Sequence, residues 1–367
     1  MKTFRLLDTP PMTAAENMAL DEALLELKGR GRTPNTIRFL QFSPRAILVG
    51  FHQSVAEEVR TEYCRDQGIQ INRRVTGGGA IFFDESQLGW EVICDKGFFG
   101  LPYANDKLSR KLCDPVINAL ARWGIQAAFR PRNDIEIGGR KISGTGGTES
   151  DDAFLFQGTI LVEFDVDTMV RALRIPVEKL EAKEIESFRE RVTCLAWELG
   201  HTPPLGEIKD AVRTGFEKGL GIELKPGGLT EGEERLFQEK LEYFRSQEWI
   251  DQVKCDVPKA EAVQAAYKAE AGIVRFTLVI DPERKRLKDA YITGDFLSFP
   301  SRALHDLQSV LRGAPLDCDR VRGIIQDFFD QGRIRVPGMS CRDFLKPLDD
   351  AFEKIAVLSV RDGNTQV

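Results

Sequence analysis

From Thr13 the chain reads TAAENMALDEALLEL, in which Met18, Leu20, Ala23, Leu24 and Leu27 recur near one face at a helical period. Thr13 and Glu16 stand at the spacing of a reciprocal cap, so the pattern predicts an amphipathic helix opening here. The period then changes. Between Thr36 and Ile142 short runs rich in β-branched and aromatic residues follow one another: TIRFLQF, AILVGF, IQINRR, AIFF, LGWEVIC and DIEIGGRKI. Each is a predicted strand. One helix, from about Asn105 to Trp123, interrupts them. FLFQGTILVEFD adds another strand, and helices return through TMVRALRI to EIKDAVRTGFEKGL.

Between about Leu220 and Ile273 the pattern weakens to LGIELKPGGLTEGEE, a helical RLFQEKLEYFRSQEWI and further polar residues, and a domain boundary is expected inside this passage. Beyond it GIVRFTLVI and LKDAYI alternate as two strands around the charged loop DPERKR. Three helical stretches follow, SRALHDLQSVL, DRVRGIIQDFF and CRDFLKPLDDAFEKI. The expected fold class is α+β: a β-sheet domain with helices packed on it over residues 1–245, then a small α+β domain over 246–367.

Composition narrows the class of partner. With 367 residues, 42% hydrophobic and 29% charged, the chain is long enough for two globular domains. Its net charge is −6 and it has no block of Lys or Arg, which argues against nucleic acid or a membrane surface and for a small molecule or a protein. The opening MKTFRLLDTPPMTAAEN lacks the apolar core of an export signal, and no run approaches a membrane span. Seven cysteines are scattered singly without a C-x-x-C pair, as fits reduced thiols in a cytoplasmic protein, and a monomer is taken as the default. Three histidines, far apart, disfavour a His-rich zinc site; any metal is expected to be a nucleotide-bound magnesium.

Two glycine-bearing stretches carry the candidate chemistry. In RRVTGGGAIFFD, Gly77–Gly79 follow two arginines and a threonine. A Walker loop needs G-K-[ST] and then a helix, and a dinucleotide fingerprint also opens a helix; AIFF instead favours a strand. The triple glycine therefore reads as a turn between strands. Either it lets a ligand approach bare backbone, or it is a hairpin turn with nothing bound.

In RNDIEIGGRKISGTGGTES, Gly138 and Gly139 suit a two-residue type I′ turn. The expected register sets Ile137 against Arg140, Glu136 against Lys141, Ile135 against Ile142 and Asp134 against Ser143. One face would then gather Asp134, Glu136, Lys141 and Ser143. That face is either an anion clamp or a solvated polar surface with Lys141 paired to Glu136.

Together these segments resemble the lipoate–protein ligase family, which shares a larger fold with biotin ligases and octanoyltransferases. The family pattern R-R-x-[ST]-G-G-G-A-V-[FY]-H-D is met by Arg73, Arg74, Thr76, Gly77, Gly78, Gly79, Ala80, Ile81, Phe82 and Asp84. Its N-D-I…K-[IV]-S-G pattern is met by Asn133, Asp134, Ile135, Lys141, Ile142, Ser143 and Gly144. NMALDEALL, ILVGFHQ, QGTIL, LRIP and RVTCL match further family stretches in the same order, so the resemblance covers about residues 1–250. It implies a mixed-sheet catalytic domain of the biotin/lipoate ligase type.

The resemblance also implies a reaction: lipoate and ATP, with Mg²⁺, form lipoyl-AMP, and the lipoyl group passes to a lysine of an acceptor protein. Lys141 is the implied catalytic ammonium. Arg74, Thr76 and Gly79 line the implied adenylate and dithiolane pocket, with Gly77, Gly78 and Phe83 beside them. Asn133 and Asp134 hold the nucleotide or its metal, and Ser143, Gly144, Gly146 and Gln157 complete the lipoyl-AMP contacts. Two positions depart from the family. Its histidine after the glycine turn is Phe83 here, either a core aromatic on a strand or a contact for lipoate, and a second, before GT, is Gln157. GIVRFTLVI…AYITGDF resembles the accessory domain of lipoate ligases, marked by Gly294, Asp295 and Phe296, which the family needs for adenylation.

Three rival readings compete. An octanoyl- or lipoyl-transferase needs a cysteine nucleophile, but the EIGGR interval before Lys141 has none, and Cys194 in RVTCL reads as a small buried residue. A biotin ligase lacks its G-R-G-R-x-x-R loop here. A non-catalytic lipoyl-binding or assembly protein is favoured only by the replaced histidines. The expected function is an ATP-dependent lipoate–protein ligase. A fused ligase of this kind resembles those serving a glycine-cleavage-H-like lipoate-binding protein of sulfur metabolism.

Overall fold

The computed structural model describes residues 2–101, 106–131, 133–174, 188–253 and 262–363, the side chains of 358–363 excepted. Asn105, Ile175, Pro176 and Cys255, which fall in stretches named above, lie outside the described residues. Two compact units are present. The first comprises Met1–Val49, Val55–Thr76 and Ala80–Gln252; the second comprises Gly50–Ser54, Gly77–Gly79 and Val253–Val367. The division therefore falls after Gln252 rather than after residue 245, and two short loops belong with the second unit.

The strands of the first unit are β1 Lys2–Asp8, β2 Thr36–Leu40, β3 Ala46–Val49, β4 Gln70–Arg73, β5 Ile81–Phe83, β6 Leu88–Asp95, β7 Ala128–Arg130, β8 Asp134–Ile137, β9 Arg140–Ser150, β10 Ala153–Ile160 and β11 Ile222–Pro226. They form an eight-stranded sheet in the order β11-β1-β2-β6-β10-β9-β8-β7 and a three-stranded sheet in the order β4-β3-β5. In the larger sheet β1 runs parallel to both β11 and β2, and the remaining neighbours are antiparallel. The sheet is mixed, as expected.

The Ala14–Gly29 helix begins as the sequence predicts. Glu16 N donates to Thr13 Oγ1 at 3.3 Å, and Thr13 N donates to Glu16 Oε2 at 2.9 Å. This helix packs on the face of the sheet that carries Arg38 and Glu91. On the opposite face Trp90 lies 5.6 Å, centroid to centroid, from Phe216 of the Leu205–Leu220 helix, which packs against the Asp106–Leu120 helix.

Strands β1 and β11 are absent from the hydrophobic pattern. IELKP is too short and too polar to read as a strand, and it becomes one by pairing Ile222 with Lys2 and Leu224 with Phe4. The passage after it is tied in as well. Glu233 caps the Glu231–Arg245 helix and forms a bidentate pair with Arg5 on β1, at 2.6 and 2.7 Å.

The second unit has an antiparallel sheet of β12 Ala262–Ala269, β13 Gly272–Asp281 and β14 Arg286–Gly294. Helices Ala303–Leu311, Cys318–Asp330 and Cys341–Gly363 join it. Its core gathers Val274, Phe276, Leu278, Leu304, Leu307, Ile325, Phe344 and Leu348. β13 and β14 are the two strands predicted around DPERKR. β12 escapes the pattern because its inward positions include the small Ala265 and Ala269, which signal a strand weakly.

Candidate active site

The glycines of the β8–β9 turn have φ of 56° at Gly138 and 83° at Gly139, as a type I′ turn requires. The first two pairs follow the expected register: Ile137 faces Arg140 and Glu136 faces Lys141. The next two do not. Ile135 faces Ser143 and Asp134 faces Gly144, because a bulge between Ile135 and Glu136 leaves Ile142 as an extra residue.

The bulge changes which side chains share a face. Opposed residues project to the same side of a sheet, so Glu136, Lys141, Asp134 and Gly144 lie on one face while Ser143 turns to the other. Ser143 is fully buried there with no hydrogen-bond partner for its hydroxyl. The expected grouping of Ser143 with Lys141 is thus corrected by one residue of register.

Lys141 Nζ lies 2.6 Å from Asp134 Oδ1, and the other Asp134 oxygen accepts from Arg130. Arg130 also stands 3.6 Å from Glu136. Burial pushes the Asp134 carboxyl up, but the ammonium of Lys141 and the guanidinium of Arg130 outweigh it and hold it below its ordinary value. The backbone of Lys141 is fixed on its far side, where its N donates to Arg191 O at 2.9 Å and its O accepts from Thr193 N at 2.8 Å. That is the place of the RVTCL stretch.

From Lys141 the face continues over Gly144 and Gly146, both partly exposed, and Gly146 is directly opposite Gln157 on β10. Gln157 Nε2 donates to Thr76 Oγ1 at 3.1 Å, and Arg74 Nε donates to the same oxygen at 3.3 Å. A strip of bare backbone therefore separates a lysine–aspartate pair from a glutamine–threonine–arginine group. Without Cβ atoms that strip admits a flat or extended ligand against the peptide groups.

Arg74 is buried and also donates to Leu48 O at 2.7 Å. Burial, with Arg73 beside it, lowers its pKa to about 10. Arg73 points elsewhere, donating to Trp249 O and Ile250 O at 3.2 and 2.8 Å. Alternation thus sends the two arginines to different places.

Asn133 accepts from Thr145 N at 2.7 Å through its backbone carbonyl. Phe83 packs 4.5 Å from Phe42 and is 4% exposed, so the structure places it in the core rather than in an open pocket. Gly77, Gly78 and Gly79 belong to the second unit, where Gly78 N donates to Phe296 O at 3.3 Å.

Sequence reasoning misses Arg130 and a buried charge centre. Arg38 is wholly buried, bonded to Asp21, to Asn17 at 2.6 Å and to Glu91 at 3.3 Å. A signal for it exists. Asn17 and Asp21 stand one helical turn apart among the buried positions of Ala14–Gly29, where polar side chains need partners.

The described site is thus a mixed sheet that carries a paired lysine beside a strip of glycines. The chain belongs to the lipoyl protein ligase A/B catalytic domain family, whose family model matches residues 13–217. Octanoyltransferase LipM of Symbiobacterium thermophilum is 34% identical over 265 residues, which cover 65% of this chain and 94% of that relative. The bi-partite lipoate protein ligase of Thermoplasma acidophilum is similar in structure, with a TM-score of 0.61, 28% identity and coverage of 70% of this chain and 100% of its own. A lipoate-protein ligase A bound with ATP matches at a TM-score of 0.60 and 27% identity over 68% of this chain and 98% of its own. P. falciparum LipL1 shares the fold at 17% identity and a TM-score of 0.69 over 96% of this chain and 99% of its own.

Among the described residues no helix is long and apolar enough to cross a membrane.

Proposed function

We propose that the protein is an ATP-dependent lipoate–protein ligase that forms lipoyl-AMP and passes the lipoyl group to a lysine of an acceptor protein. The observation that carries this reading is the state of the thiols. A transferase that holds its acyl group as a thioester needs a cysteine with access to substrate and a thiolate within reach of neutral pH. In the first unit Cys64, Cys94, Cys113 and Cys194 are all buried. Burial pushes Cys64 and Cys194 up to about 11, and Cys94 and Cys113 further still. None of them is poised as a nucleophile.

A ligase needs no thiol. In the first step a carboxylate oxygen of lipoate attacks the α-phosphorus, the bond to the β-phosphate bridging oxygen breaks, and pyrophosphate leaves. The ammonium of Lys141 offsets the charge that gathers on the α-phosphate. In the second step the acceptor amine attacks the acyl carbon, the acyl–phosphate C–O bond breaks, the amine gives up a proton and AMP leaves. Lys141 then offsets the charge of the departing phosphate.

The site also bears on magnesium. Both oxygens of Asp134 already face cations, and among the described residues no group of three or more His, Cys, Asp or Glu could hold a metal. Asp134 would meet a magnesium carried by the triphosphate only by releasing Lys141 or Arg130 from one of its oxygens. The metal would supply further charge neutralisation at the phosphates.

A second reading, octanoyl transfer without ATP, is favoured by the LipM relatives. Purified protein incubated with lipoate, Mg-ATP and a panel of apo lipoyl-acceptor domains separates the two, with pyrophosphate and acceptor mass read together. Lipoate-dependent pyrophosphate release that survives Cys→Ala replacement at each cysteine in turn is the ligase result. Acyl gain from an octanoyl thioester without ATP, abolished by one such replacement, would establish the transferase instead.

A further inference from the structure

The second unit contains two loops distant in sequence from the rest of it, Gly50–Ser54 and Gly77–Gly79, and both are gripped by the segment Gly294–Ser298. Gly294 N donates to His52 O at 3.1 Å, and Phe296 O accepts from Gly78 N at 3.3 Å. The ring of His52 stacks on that of Phe296, with centroids 5.5 Å apart and planes at 22°. Its Nε2 lies 2.8 Å from Ser298 Oγ. His52 is 2% exposed and Ser298 5%, so water does not compete for that bond.

The triple-glycine turn depends on this grip at the level of backbone. A Cβ on Gly77 would lie 2.5 Å from Phe296 O, and a Cβ on Gly50 would lie 1.9 Å from Gly78 O. Three main-chain segments are thus stacked with no room for side chains between them. His52 is the polar side chain that fastens one of these segments to another, through Ser298. The Ser298 hydroxyl has the carbonyls of Pro300 and Ser301 at 3.4 Å to donate to, which leaves its lone pairs to receive an Nε2 proton.

We propose that His52 and Ser298 are positioning residues that hold the triple-glycine turn in the conformation needed for acyl activation. The proposal rests on the ligase reading for its substrate. Neither residue is given a contact with the reacting atoms; each acts through the turn. The segment Gly294–Ser298 thereby acquires a positioning role, since its backbone and Ser298 shape a loop more than two hundred residues earlier in the chain.

The test uses the full chain with His52→Leu, His52→Gln, Ser298→Ala and Ser298→Thr. The readouts are pyrophosphate release with lipoate and ATP, thiol release from an octanoyl thioester, KM and kcat for each, and the thermal midpoint. His52→Leu and Ser298→Ala are expected to lose at least tenfold in kcat/KM, with KM for the acyl substrate raised, while remaining folded. His52→Gln and Ser298→Thr, which can keep the hydrogen bond, are expected to regain most of that loss. Wild-type kcat/KM in His52→Leu and Ser298→Ala overturns the proposal. So does a loss that tracks only the fraction folded, with KM unchanged and no recovery in the conservative pair. If the wild type releases thiol but no pyrophosphate, the ligase reading fails by itself, and the same comparison on the thioester decides the positioning role.

Discussion

Lys141 Nζ sits 2.6 Å from Asp134 Oδ1 on a face where the unpaired Ile142 puts Gly144, rather than Ser143, opposite Asp134. With a regular register Asp134 would face Ser143. The bulge advances the strand by one residue and brings Gly144 and Gly146 onto the face that Lys141 and Asp134 share, the partly exposed floor that runs to Gln157. One inserted residue thus converts an ordinary polar hairpin into a lysine standing over bare backbone.

Replacement of Lys141 by alanine should lower kcat for adenylation by about 10²–10³-fold, the scale set by removing one preorganised charge-stabilising donor. Stability should change little, since the lysine side chain is 34% exposed and Asp134 keeps Arg130. Pyrophosphate release under saturating substrates, beside a thermal midpoint, checks both halves. An unaltered kcat would remove Lys141 from the chemistry.

Gly144→Ala separates activity from stability at the same place. A Cβ there would lie 2.7 Å from Lys141 Nζ and 2.8 Å from its Cε. Both atoms are at the far end of a flexible side chain, so the lysine moves and the fold stays. The expected variant melts close to wild type, yet activates lipoate at least tenfold more slowly. Full activity would show that Lys141 need not rest over the glycine strip.

Much of this was legible in the sequence, and the failures have physical causes. The capping box at Thr13 and the turn at Gly138–Gly139 depend on neighbours within four residues and form as expected, and the strand in AIFF forms too, on β3 as its partner. The register beyond Glu136 does not, since nothing in DIEIGGRKISG marks Ile142 as extra. β11 and the Arg5–Glu233 pair depend on partners far apart in the chain. The lysine of the candidate site could therefore be proposed before its geometry could. At Phe83 the sequence leaves a core aromatic and a ligand contact open, because the choice depends on Phe42, a neighbour about forty residues earlier that packs against it.

Glu233 should prove a stability residue of the first unit. Its carboxylate is fully buried, chelated by Arg5 and bonded to Thr33 and to the Thr230 backbone. Burial raises its pKa, but Arg5 and the Thr230 backbone bond oppose that and bring it below the ordinary value. A carboxyl whose folded pKa is depressed stabilises above its unfolded pKa and loses that contribution as pH falls through the folded pKa. Glu233→Gln leaves Arg5 buried without a counter-charge, a loss of about 3–5 kcal/mol. Urea unfolding at neutral pH should show it, and the gap between variant and wild type should narrow in acid. A constant gap would deny the ion pair its role.

The Asp21–Arg38–Glu91 centre predicts the opposite pH dependence. Two buried carboxyls share one guanidinium, so the group carries a net negative charge unless it holds a proton. Burial, then Glu91, pushes Asp21 well up, against the pull of Arg38; burial likewise raises Glu91. A carboxyl whose folded pKa is raised gives stability that is complete below its unfolded pKa and fades as pH rises through the folded pKa. Asp21→Asn mimics the protonated form and has no proton to lose. Wild type and Asp21→Asn should therefore melt alike near about pH 4–5, and wild type should fall progressively below the variant toward about pH 9. Arg38→Met should be less stable than both across that range, because it leaves two acids without their cation. Parallel melting curves for wild type and Asp21→Asn at every pH would mean that the centre holds no proton, and the charge it buries would then need a different partner.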